Sequence, residues 1–241
     1  MMKSSQAKLL VHLFAGLSLL LVACEKNAAS SSNKSWISVT HASPGIQAVD
    51  VLLSGNKLTE TGKLMYGATS GSQGDPYLAG VAGTHNFSIT PDGTTFYVDG
   101  NISLLQNNHY SVFIYDTLIG GKLKALALQD EIGVPADTIS AIRFINLVKD
   151  TSALIVFMTN AVDTVGIGTI PYIGDSPDPS SLSRFGNIKS GTYAVYVGVD
   201  STLVFSDSLH FSGGKTYTIY TEGFLHATGT TSIDIKQIEH N

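Results

Sequence analysis

One cysteine, one tryptophan and a thin scatter of charge set the first limits on this chain of 241 residues. Cys24 is alone, so no disulfide can form within the chain and no thiolate pair can build a zinc site. Charged residues make up 14%, with 14 basic against 19 acidic and a formal net charge of −5. A basic stripe able to track a phosphate backbone is missing, which argues against a nucleic-acid partner. Beyond residue 24 no long apolar pattern recurs at helical spacing, so a helical bundle is excluded. The histidines at 41, 85, 109, 210 and 226 never pair at metal-ligand spacing. "GGKT" at 213–216 has Leu209 where a phosphate-binding loop needs its first glycine. No metal and no cofactor is expected.

What is present begins with a leader. Lys3 and Lys8 precede an apolar run from Leu9 to Ala23, the layout of a secretory signal. The run ends in "LVAC", which resembles the lipobox of bacterial lipoproteins, whose cysteine is acylated and becomes the mature N-terminus. Several acyl chains anchor stably, because each buried methylene contributes roughly 0.8 kcal/mol. The expected organisation is a signal peptide over 1–23, then lipidated Cys24 with a polar tether to residue 35. Loss of the leader removes Lys3 and Lys8 and moves the formal charge from −5 to −7. Glu25 follows the cysteine, not the aspartate associated with inner-membrane retention, so the outer membrane is the expected location, on its periplasmic or extracellular face.

The rest of the chain repeats itself. "WISVTHASPGIQAVDVLLSG" from Trp36 aligns with "AIRFINLVKDTSALIVFMTN" from Ala141. "AGTHNFSIT" matches "SGTYAVYVG", and "HYSVFIYD" matches "TYTIYTEG" with Tyr110 meeting Tyr217. Each copy reads as strands. Ile37, Val39 and His41 share one face of an alternating segment, as do Val49, Val51 and Leu53 in the next. Pro91, Asp92 and Gly93 mark a hairpin turn. The expected fold is all-β: two tandem β-sandwich domains, immunoglobulin- or transthyretin-like, over 36–132 and 141–241. Residues 133–140 join them, and a small interface there would leave the halves free to move.

His41, Ser43 and Asp50 invite a comparison with a catalytic triad. Strand parity sets His41 inward and Asp50 outward, with Ser43 at a turn before Pro44, so the three do not converge. The aligned residues of the second copy are Asn146, Val148 and Ile155. Histidine and asparagine share an ability to hydrogen-bond backbone, so His41 and Asn146 are expected to pin the loop after the first strand of each copy.

"VTHASPGIQAVDVLLSG", "VAGTHNFSIT" and "NNHYSVFIYD" resemble the motifs of the bacterial family named domain of unknown function 4397. The resemblance covers most of residues 36–131; the second copy departs from it at the His-Ser-Pro turn. It implies an exported β-rich protein, often lipid-anchored, and carries no catalytic residues.

Polar loops at 67–76 and 174–183 occupy matching places in the two copies. Asp75 and Tyr77 beside the first, and Asp175 and Asp178 in the second, are the candidate binding residues, although such loops are also tolerated as plain surface. Trp36, Tyr66, Tyr77 and Tyr172 could stack on sugars, with packing as the default. The reading that results is a lipid-anchored envelope protein without enzymatic activity, a binding, adhesion or structural module. Its partners would be the membrane, through the lipid, and a glycan or envelope protein. The competing class is a hydrolase of glycans or peptides, which needs acids near Asp75 and Asp175 to converge in a cleft.

Overall fold

The computed structural model describes residues 33–59, 62–200 and 202–241. The leader and Cys24 lie outside the described residues. Seventeen strands run in order, nine of them in the first half: β1 (Lys34–His41), β2 (Ala48–Leu53), β3 (Asn56–Lys57), β4 (Leu64–Met65), β5 (Leu78–Val81), β6 (Gly83–Thr90), β7 (Val98–Leu104), β8 (His109–Ile119) and β9 (Lys122–Asp130). The second half holds β10 (Ile139–Asn146), β11 (Ala153–Thr159), β12 (Thr164–Pro171), β13 (Gly186–Lys189), β14 (Gly191–Val199), β15 (Thr202–Phe211), β16 (Thr216–Glu222) and β17 (Asp234–Glu239). Among the described residues, two helical turns interrupt them, α1 (Pro179–Leu182) and a 3-10 turn over Gly229–Thr231. Among the described residues no helix is long and apolar enough to cross a membrane.

The strand order of one half is matched in the other. β5-β1-β8-β9 corresponds to β13-β10-β16-β17, and β3-β2-β6-β7 to β12-β11-β14-β15. In each half the opening strand pairs in parallel with a strand far along the sequence, β1 with β8 and β10 with β16. Alternation does the sorting: Ile37, Val39, Val51, Ile89, Val112 and Ile114 fill one core. Leu154, Val156, Val195, Phe211, Tyr217 and Ile219 fill the other. Each fully buried side chain of this kind contributes roughly 1.5–3 kcal/mol.

β8 is buried on both faces over most of its length and β16 throughout, and the second face has a use. Phe113 and Tyr115 of β8, Leu126 and Leu128 of β9, Ile145 of β10 and Tyr220 of β16 form a third core between the halves. Phe113 meets Tyr220 edge-on at 5.8 Å. Residues 33–241 form one compact unit, and the seam, whose extent the sequence leaves open, is a packed interior. The connector is pressed down too. A Cβ on Gly213 would lie 1.6 Å from the carbonyl oxygen of Asp137, so only glycine fits where the connector crosses the turn before β16.

Candidate functional site

Polar residues close one end of the seam. Arg143 of β10 donates from Nη2 to Asp130 Oδ1 at 2.6 Å and from Nε to Thr218 Oγ1 at 2.7 Å. Thr218 Oγ1 lies 2.7 Å from His240 Nε2, and His240 Nδ1 lies 2.7 Å from the Tyr77 hydroxyl. Tyr77 then donates to Asp130 Oδ2 at 2.7 Å, an oxygen that Ser111 also reaches at 2.7 Å. The bonds form a closed ring through Asp130, Arg143, Thr218, His240 and Tyr77. Its direction is fixed by Arg143, which can only donate, and by Asp130, which as a carboxylate can only accept. Tyr77 spends its proton on Asp130, so its oxygen accepts from His240 Nδ1, and a neutral ring then accepts the Thr218 hydroxyl at Nε2.

Electrostatics agree with that assignment. Burial pushes His240 down from 6.5 to about 4. Burial, and then the Asp130 charge, hold the Tyr77 hydroxyl protonated far above its usual range. The side chains of Arg143 and Asp130 are 2% and 0% exposed, a desolvated pair in which each carboxylate oxygen and most of the guanidinium is bonded. Arg143 Nη1 has no hydrogen-bond partner, but the Phe185 ring lies over the guanidinium, 4.6 Å from Cζ.

Above this ring opens a cleft of about 650 Å³, bordered by the turn before β8, the end of β9 with the connector, and the chain's last two residues. Asp130 and His240 form part of its lining, with Asn107, Asn108, Gln129 and Glu131 around them. His109 also faces it, stacked on Trp36 with centroids 4.9 Å apart and braced edge-on by Tyr77 at 4.7 Å.

Ionic contacts also cross the seam, beside the hydrogen bond that the Tyr115 hydroxyl donates to the Gly174 carbonyl. Asp116 is fully buried; burial alone would raise its carboxyl, yet hydrogen bonds from Lys124, Lys149 and the Thr117 N–H hold it at about 2. Lys124 reaches on to Asp175 in the other half. Glu222 is 2% exposed with Oε2 unpartnered, and burial pushes it up to about 7.

The residues singled out in the sequence separate. His41 is buried, and its Nδ1 accepts the Ser43 N–H at 3.4 Å. Asn146 Oδ1 accepts the Val148 N–H at 3.0 Å, the same two-residue step in the other half. Ser43 Oγ donates to the Asp116 carbonyl at 2.6 Å, and Asp50 pairs with Lys57 at 2.9 Å, so these three side chains of the opening motif face different partners. Asp75 is exposed and borders, with Tyr77, a groove of about 540 Å³. Tyr77 itself is not a loop residue free for a ligand, because its hydroxyl closes the buried ring. Asp178 caps α1 by accepting the Ser180 N–H at 3.0 Å, while Asp175 turns to Lys124, so the two do not share a site. Among the described residues no group of three or more potential metal ligands comes together.

Arg143, Asp130 and His240 were not picked out from the sequence. One clue was available: Arg143 stands inside "ISAIRFIN", a strand otherwise apolar apart from Ser140 and its closing Asn146. A cation there needs a buried partner.

Residues 35–157 match the model of a family described as Domain of unknown function (DUF4397), from β1 through the first half and into β11. No curated protein matches the chain. Among solved structures it is similar to a carbohydrate-binding module of Eubacterium rectale in complex with maltoheptaose, at 13% identity and a TM-score of 0.25, over 86% of this chain and 97% of that one. A protein of Bacteroides uniformis, provisionally described as a cell adhesion protein, matches at 10% identity and a TM-score of 0.24 over 86% and 97% of the two chains. A leucine-rich repeat protein of Bacteroides thetaiotaomicron matches at 12% identity and 0.20, over 83% of this chain and 27% of that one.

Proposed function

The chain belongs to the family of domain of unknown function DUF4397, and from that premise we propose a non-enzymatic binding or adhesion module, two tandem β-sandwiches held at the outer membrane by a lipid on Cys24. One observation carries the binding reading. The buried titratable groups beneath the cleft, Asp130, Arg143, His240 and Tyr77, spend their hydrogen bonds within one closed ring that also takes in Thr218. Catalysis by acid, base or nucleophile needs a group free to exchange a proton with a substrate. A closed ring supplies rigidity to the cleft walls instead, which favours recognition.

Two experiments test the halves of this reading. Expressed with its leader, the full chain should fractionate with membranes, and Cys24→Ala should release it; unchanged membrane association would remove the anchor. Mixed with envelope preparations from its own host, the protein should co-sediment without releasing sugar or peptide fragments. Fragment release abolished by Asp175→Asn would instead establish the hydrolase.

A further inference from the structure

We propose that the cleft above the buried ring binds a neutral oligosaccharide, its hydroxyls read by the carboxamides of Asn107, Asn108 and Gln129 and by the part of His109 that lines the cleft. This rests on the binding-module reading and names its ligand class.

The lining chooses the ligand by exclusion. Its charged members are Asp130 and Glu131, with no lysine or arginine among them. Asp130 is already matched by Arg143, which leaves Glu131 to repel an anion. An apolar ligand would strip water from several carboxamides and return nothing to them. A carboxamide offers two donors and an acceptor in one plane, the set that vicinal hydroxyls satisfy. Asn107 and Gln129 are exposed, and among the described residues no side-chain hydrogen bond ties up their amides. At about 650 Å³ the cleft falls within the range of small-molecule sites.

Rigidity adds to the argument. His109 is clamped between the Trp36 face and the Tyr77 edge, so its ring is held before a ligand arrives. Tyr77 is in turn locked by Asp130 and His240. A ligand that meets a side chain held in this way costs the protein little conformational freedom. Burial lowers the pKa of His109, which leaves the ring neutral at neutral pH with one donor and one acceptor.

Trp36 is the chain's only tryptophan and stacks on the ring that the sugar would touch, so its emission is the readout. The full chain in detergent is titrated with maltohexaose, cellohexaose and chitohexaose, and with an oligogalacturonate as the anionic control. At least one neutral oligomer should give a saturable change, and the control none. Asn107 has φ +62, so Asn107→Gly keeps the turn while removing the amide. Combined with Gln129→Ala it should weaken binding tenfold or more at an unchanged urea midpoint. Saturation by none of the neutral oligomers, tighter binding of the anion, or undiminished binding by the double variant would each overturn the proposal. If co-sedimentation with envelope preparations persists in any of those cases, the ligand class falls and the binding module stands.

Discussion

At the scale of single residues, burial of Glu222 makes the stability of the protein depend on pH. The groups facing its carboxyl are Tyr66 and Gly67 of the first half and Asp234, Lys236 and Tyr220 of the second. Burial raises its pKa from 4.5 to about 7, with Lys236 opposing and Asp234 reinforcing. Below 4.5 both folded and unfolded chains hold the proton. Between 4.5 and 7 the unfolded chain loses it first, so stability falls as pH rises and levels off above 7. His41 and His240, both lowered to about 4, act in the other direction, because unfolding then takes up protons below 6.5. Glu222→Gln isolates the carboxyl from the histidines. Measured by urea unfolding at each pH, the variant should gain on the parent by on the order of 3 kcal/mol between pH 4.5 and 7.5. A difference that stays flat across that range would mean that Glu222 is ionised in the fold at no cost.

At the scale of elements, the clearest signature is a tyrosine at the start of β8 and its counterpart in β16. Tyr110 OH accepts the Leu105 N–H at 2.9 Å, and Tyr217 OH accepts the Ser212 N–H at 3.0 Å. Each ring is buried and each hydroxyl turns back five residues to hold the hairpin entering its strand. Tyr110→Phe leaves that N–H unmatched and should lower stability by about 1–2 kcal/mol in denaturant titration. A loss below a few tenths would show that water replaces the hydroxyl freely. These strands were legible in the sequence, since Ile37, Val39 and His41 alternate and Tyr110 aligns with Tyr217. The seam was not. Its polar ring draws on residues as far apart as Tyr77 and His240, 163 positions, and although Arg143 in an apolar strand asks for a buried partner, nothing in the sequence names Asp130. Phe113 and Tyr115 read as one more apolar strand, because a linear pattern shows that both faces are buried without naming what covers each. Tyr77 beside a polar loop looked available for a ligand for the same reason.

At the scale of the whole molecule, the third core decides whether the halves unfold separately. Phe113, Tyr115, Leu126 and Leu128 on one side and Ile145, Leu147, Tyr220 and Ile238 on the other would all meet water if one half opened alone. The Asp130–Arg143 and Asp116–Lys149 pairs would lose their partners at the same moment. The halves should therefore unfold together. Leu154→Ala, deep in the second core, should cost about 2–5 kcal/mol, and Trp36 emission in the first half should report the full shift in midpoint. A Trp36 transition that stays in place while the far-ultraviolet signal splits would separate the halves into independent folding units.

The parallel pairing of β1 with β8 also sets a clock for a chain made from its N-terminus. Partners in these two strands lie about 73 positions apart, and those in β10 and β16 about 75. At about 5–20 residues per second, β1 waits some 4–15 s after its own synthesis for the strand that flanks it on the inner side. Meanwhile its available neighbour is β5, which forms the edge of the finished sheet. β1 therefore gains an edge neighbour before its inner one, and passes through that interval with one flank of its backbone unpaired. Delay at synthesis, more than weakness in the finished fold, is where this architecture is open to aggregation or to a chaperone.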